Sequence, residues 1–201
     1  METKERLRRE ANEAKRRVIL EAVSEIFENE GVATVKMQTI AQRIGISVGA
    51  LYKLFASKEE LYGAYVAYQI DLFFARWERE CERKDARECL HRFVALKFET
   101  FQAKRKAIED PAVADPLFFV RLHHKQREAI TPIIAKLAEL FAALHHQAVT
   151  DKKDSTKLAY LFNSCVTGHI EYWLFGGGAL ERPETVLDRF LSSVDKRPLH
   201  G

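Results

Sequence analysis

The stretch Thr34–Lys58, TVKMQTIAQRIGISVGALYKLFASK, decides how the rest of the chain is read. Met37, Ile40, Ala41 and Ile44 recur at the spacing of a one-sided helix of about two turns, and Gly45 ends it. Ser47 then offers a hydroxyl to an otherwise unpaired backbone N–H, the role of a helix N-cap, and Val48, Leu51, Tyr52 and Phe55 restart the helical spacing. Leu51 and Phe55 are expected to pack inward while Gly49, Ala50 and Lys53 face out. Helix, tight turn with Gly, helix is the outline of a helix-turn-helix. The stretch carries Lys36, Arg43, Lys53 and Lys58 without one Asp or Glu, a local positive surface of the kind that meets phosphates.

The composition around it is that of a soluble globular chain, with 201 residues, 47% hydrophobic and 30% charged. The net charge of +3 is too small to imply nucleic-acid binding, so the position of the charge carries that argument. No apolar run approaches the roughly 18 residues needed to cross a bilayer. The start, METKERLRREANEAKRR, lacks the apolar core of a secretory signal, so a cytoplasmic protein without membrane contact is expected. Cys81, Cys89 and Cys165 form no CxxC pair and are odd in number, which points to reduced thiols.

Upstream, Ile19, Ala22, Val23, Ile26 and Phe27 predict a helix from about Asn12 to Glu30, stopped by Gly31, behind a charged lead-in that is either a solvated run or a basic arm that touches DNA backbone or minor groove. Downstream, Ser57 and Glu60 make an S-x-x-E capping box that opens a long helix to about Glu82. Further helices follow from about Asp85, from Leu117, and from Thr131-Pro132, where a capping residue precedes a first-turn proline. Ser155 opens an apolar helix to Phe175, Gly176 to Gly178 form a flexible break, and the last helix starts at Pro183. No period-2 alternation appears, so an all-α protein of about nine helices is expected. Its parts are an arm and helix-turn-helix domain over 1–57, with the motif at about 36–55, a connecting helix over 58–82, and a further helical domain over 83–201.

The segment Ile40–Leu61, IAQRIGISVGALYKLFASKEEL, resembles the DNA-binding motif of TetR-family transcriptional regulators. Ile40, Ala41, Gly45, Ser47, Gly49, Leu51, Tyr52, Phe55, Ser57, Lys58, Glu59 and Leu61 match the pattern I-A-x-x-x-G-V-S-x-G-x-L-Y-x-x-F-x-S-K-E-x-L. The resemblance implies a three-helix DNA-binding head, a helical domain with a ligand cavity, and a homodimer. It points to Lys36, Gln38, Arg43, Ser47, Val48, Gly49, Ala50, Tyr52, Lys53 and Lys58 as the DNA-binding set. Small side chains at Gly49 and Ala50 let the second helix approach base edges, where Val48 and Ala50 suit thymine methyls and Lys53 suits guanine acceptors. Tyr52 and Lys58 suit phosphate oxygens. One departure stands out: where the family places Ser or Thr before the second helix, this chain has Val35 and Lys36, with Thr34 one or two residues early.

An apolar cavity with a few polar groups is expected among Phe74, Trp77, Phe101, Gln102, Phe118, His123, Asn163, Thr167 and His169. Leu158, Leu161, Phe162, Cys165, Gly168 and Trp173, with Val186, Phe190 and Val194, are expected to pair with their own copies as a four-helix interface. Zinc spacings and HExxH are absent, and adjacent histidines point about 100° apart on a helix, so no metal or cofactor is expected. No nucleophile–base pair or phosphate loop appears, and the chain is not expected to be an enzyme. The reading is a homodimeric DNA-binding regulator, a repressor released from a palindromic operator by a small lipophilic or aromatic effector that shifts the long helix after Ser57. An effector-independent DNA binder and a helical enzyme with accessory DNA binding are the alternatives.

Overall fold

The structure, a computed structural model, describes residues 2–32, 34–105, 116–144 and 152–195, with side chains described over 3–32, 34–105, 128–144 and 154–194. Eight helices run through these residues: α1 Glu2–Glu30, α2 Met37–Ile44, α3 Val48–Leu54, α4 Lys58–Glu80, α5 Ala86–Ala103, α6 Pro116–Leu144, α7 Lys152–Phe175 and α8 Pro183–Asp195. The all-α expectation holds, and one helix boundary differs for a local reason. Thr131-Pro132 does not open a helix; Pro132 lies inside the continuous α6. An internal proline loses one N–H bond and clashes with the preceding turn, at about 3 kcal/mol, and burial of Ile133, Ile134, Leu137 and Phe141 just beyond it opposes that loss.

The charged lead-in is also helical, since α1 begins at Glu2. Its Arg, Glu, Lys, Leu and Ala residues are strong helix formers, and pairs such as Arg6–Glu10, 3.7 Å apart one turn on, add a little more. Gly176 to Gly178 are a built cap. The N–H groups of Gly176 and Gly178 both donate to the Tyr172 carbonyl, at 2.9 and 3.4 Å, and Gly177 takes the left-handed φ of 70°. A Cβ at Gly178 would collide with the Tyr172 ring.

The helices sort into two compact units. One comprises Met1–Asp71 with Lys104–Arg127, the other Leu72–Ala103 with Glu128–Gly201, so the first boundary falls within α4. In the first unit, the head, α1 packs on α2 and α2 on α3. Its core gathers Ile19, Val23, Phe27, Val35, Ile40, Leu51, Phe55 and Leu61 with Tyr62 and Tyr65. Phe27 meets both tyrosine rings edge-on, at 5.9 and 5.3 Å between centroids. In the second, larger unit α5 packs with α7 and α8, and α7 with α8. An aromatic chain fills it: Trp77 on Phe93 at 5.0 Å, Phe93 on Phe162 at 5.8 Å, and Phe162 on Phe141 and Phe190 at 5.4 and 5.0 Å. Trp77 donates its indole N–H to the Cys89 carbonyl at 2.9 Å, satisfying a buried donor.

Candidate nucleic-acid interface

The turn between α2 and α3 is set by backbone bonds that the glycine makes possible. Gly45 has φ 76°, and the Ile46 N–H reaches back to the Ala41 carbonyl at 3.0 Å, closing α2 in a Schellman-type cap. Ser47 starts α3 two residues later, its Oγ accepting from the Ala50 N–H at 3.1 Å. Leu51 and Phe55 then turn inward, both fully buried.

The outer side of α3 carries the residues expected at DNA. Tyr52 is 44% exposed, which no core tyrosine of the head matches, and Lys53 is exposed beside it. Gly49 is exposed, and nothing lies within 4 Å of where its Cβ would stand, so the helix surface is open there. Ala50 is partly exposed, while Val48 also packs partly against the head core. Lys36 and Gln38 are exposed at the start of α2, and Lys58 is partly buried at the start of α4.

At Val35 and Lys36 the departure has a structural consequence. Lys36 occupies the N-cap position of α2 with extended backbone and no side-chain cap bond. Thr34 does not replace it, because its hydroxyl donates to the Glu30 carbonyl at 2.6 Å and so closes the turn after α1. Val35 goes into the head core instead, 2% exposed.

Charges from outside the motif complete the surface, and sequence spacing gives no sign of them. Arg43 is held by both oxygens of Glu30 from α1, with Nη2 donating to Oε2 at 3.1 Å, so a DNA contact by Arg43 requires exchange of that carboxylate. The stretch that is free of acids in sequence therefore has one against it in space. Arg16 of α1 donates from Nη1 to the Leu54 carbonyl, lies 4.2 Å over the Phe55 ring, and pairs with Glu60 at 3.6 Å. Glu60 also accepts from the Ala56 N–H at 2.8 Å, while Ser57 Oγ accepts from the Glu60 N–H at 3.1 Å. One guanidinium thus binds the last carbonyl of α3, the ring behind it and the first turn of α4, where a cation also suits the negative end of the helix.

In the larger unit the expected ligand residues lie in unlike surroundings. Trp77 is fully buried among rings, Phe74 and Phe101 are partly buried, and Gln102 is exposed. Phe118 and His123 fall on α6 outside the described side chains. His169 turns to its own helix, its Nδ1 2.9 Å from the Cys165 carbonyl and its Nε2 3.7 Å from Glu181. Asn163 and Thr167 do come together, on Lys97 of α5, a residue the sequence reading passed over. A separate open groove of about 630 Å³ is lined by Ala75, Glu78, Arg79, Cys81, Glu82 and Lys136, four of them charged residues. Of the residues expected at a dimer face, Leu158, Phe162, Val186 and Phe190 lie in the core of the unit, whereas Leu161 is exposed, as is Gly168. Cys165, Trp173 and Val194 are partly buried. Among the described residues no helix is long and apolar enough to cross a membrane, and no three His, Cys, Asp or Glu side chains cluster as a metal would need.

A three-helix head with an exposed, glycine-opened third helix and a larger all-α unit define the class of helix-turn-helix proteins with an appended helical domain. Residues 19–65 match the family model of bacterial regulatory proteins, tetR family, so the N-terminal head is similar to that family's DNA-binding domain. An HTH-type transcriptional regulator of Staphylococcus aureus strain USA300 is 32% identical over 73 residues, covering 36% of this chain and 39% of that relative's length. The fatty acid degradation regulator FadR from Bacillus halodurans superposes with TM-score 0.67 at 18% identity, over 88% of this chain and 94% of its own. FadR from Bacillus subtilis, solved with stearoyl-CoA, gives TM-score 0.67 at 16% identity, over 87% and 97%. At such identities the likeness is one of fold, and it extends over both units.

Proposed function

We propose that the chain is a homodimeric transcriptional repressor that reads a near-palindromic operator with paired copies of α3 and is released by a small lipophilic or aromatic effector. The observation that carries the DNA-binding part is the exposed face of α3, where Tyr52 and Lys53 flank the open surface at Gly49 while Leu51 and Phe55 fix the helix from behind. A helix so held fits a major groove about 12 Å wide. Tyr52 and Lys58 contact phosphates; Ala50 and Lys53, with the outer edge of Val48, meet the bases. Lys36, Gln38 and Ser47 lie along the same approach, and Arg43 joins them once Glu30 lets go.

A single short recognition helix reads too few bases to be selective, which supports a dimer. A stripe on α7 fits that role: Leu161 and Tyr172 are 49% and 63% exposed and Phe175 is 56% exposed, with exposed Ser164 and Gly168 between them to let a second helix approach. The effector part is supported by fold, since the similarly folded Bacillus subtilis FadR holds stearoyl-CoA. Coupling of effector to operator is commonly about 1–3 kcal/mol, and α4, whose residues divide between the two units, is the covalent route for it.

Selection from a random duplex pool tests the reading. A near-palindromic site bound by a dimer, as measured by mass in solution, is the expected result; a pool without enrichment, or a monomer at micromolar concentration, would overturn it.

A further inference from the structure

The larger unit holds an amine, Lys97, that has no carboxylate partner among the described residues. Lys97 on α5 donates from Nζ to Asn163 Oδ1 at 2.9 Å and to Thr167 Oγ1 at 2.7 Å, both on α7. Thr167 spends its own hydroxyl hydrogen on the Asn163 main-chain carbonyl at 2.8 Å, so toward the amine it is an acceptor. The amine also stands 5.5 Å from the centre of the Phe93 ring, which packs in turn on Phe162. Two neutral oxygens and an aromatic face therefore replace water around this group. Glu171 acts on it through space and makes no ion pair with it.

Burial pulls the Lys97 amine from its ordinary 10.5 down to about 7, against the opposing field of Glu171. The residue as a whole nevertheless keeps partial exposure. Both facts fit a side chain whose stem reaches toward the surface while its amine is short of hydration. A purely structural tie between α5 and α7 needs no charge, because an amide or a hydroxyl bonds Asn163 and Thr167 without the desolvation of an ammonium.

We propose that Lys97, with Asn163 and Thr167, anchors the carboxylate of an organic monoacid whose apolar body lies along the neighbouring aromatic rings. The proposal deepens the effector reading and rests on it. A single ammonium among neutral partners matches one negative charge; a dianionic phosphate is better met by arginine forks and would be opposed by Glu171. A bound carboxylate restores the ammonium, so binding takes up a fraction of a proton near neutral pH.

The test uses the full chain and two matched pairs, decanoate with decanol and 4-phenylbutyrate with 4-phenylbutanol, titrated calorimetrically in two buffers of unlike ionisation enthalpy. Each acid is expected to bind at least about tenfold tighter than its alcohol at about pH 7, with proton uptake in the acids alone. Lys97→Met, which keeps the length of the stem, should bring the acids to the affinity of the alcohols and leave the alcohols unchanged. Equal binding of acid and alcohol by the parent, a comparison that needs no variant, overturns the anchor and leaves an effector cavity standing. A preference for acids that survives in Lys97→Met has the same meaning. Binding of none of the four compounds overturns the anchor and removes the cavity reading for ligands of this size.

Discussion

In the head, Lys36 and Lys53 stand exposed and Arg43 is held by Glu30 at the surface, whereas in the larger unit Lys97 is drawn inside onto Asn163 and Thr167. The first arrangement keeps positive charge hydrated and movable, which suits a partner that is a long array of phosphates. The second makes the charge expensive until something negative arrives, which suits one small anion. The same residue types thus serve two recognition problems, and the surrounding dielectric separates them. Arginine shows the contrast within the larger unit as well. Arg92 on α5 donates to Glu80 and Glu99, and these bonds, with Arg76 alongside, hold the Glu80 carboxyl down at about 2. A cation given its carboxylate partners is finished structure; among the described residues Lys97 has none.

Changes that strike the support of the recognition helix have the largest expected effect. Phe55→Ala removes a fully buried ring and the surface under Arg16, and should destabilise the head by about 3–5 kcal/mol, read as a lowered melting temperature with loss of DNA binding. An unchanged melting curve would break the view that this core holds α3. Next in size, Tyr52→Phe combined with Lys58→Ala should weaken binding to every duplex by about tenfold and lower the slope of log affinity against log salt by about one. Tight binding with an unaltered slope across a salt titration would remove both residues from the phosphate contacts.

Arg16→Met separates positioning from contact. It should cost about 1–2 kcal/mol of stability through the lost carbonyl bond and ring stack, and weaken DNA binding without changing the salt slope. A slope that falls with the affinity would make Arg16 a phosphate ligand. The smallest effect is on pH dependence in the larger unit. Because burial depresses Lys97 in the folded chain, the unfolded chain binds more protons between about 7 and 10.5, and stability rises with pH across that window. Melting temperatures at about pH 7 and pH 9 should show that rise in the parent and a flatter profile in Lys97→Met; parallel profiles would place the amine in water.

How much was legible in the sequence follows from the span of each arrangement. The recognition helix is a local device: Gly45, Ser47, Leu51 and Phe55 specify turn, cap and buried face within one short run, and all four behave as their chemistry requires. Thr34 and Val35 were legible as a departure but not in their use, since the hydroxyl was taken by the end of α1 and the valine by the core. Pro132 shows a different limit. A proline after a threonine has the same appearance at a helix start and inside a helix, and packing on either side chooses between them.

The sequence by itself determined the all-α class, the helix-turn-helix and the family that the head resembles, because helical periodicity, caps and turn glycines act over one or two turns and need no partner from afar. Only the tertiary structure decided which charges meet. Glu30 reaches Arg43 across 13 positions, Arg16 reaches Leu54 across 38, and Lys97 reaches Asn163 and Thr167 across 66 and 70. Those pairings come from helices packing their apolar faces, which brings polar residues together as a consequence of burial. No spacing rule along the chain records them.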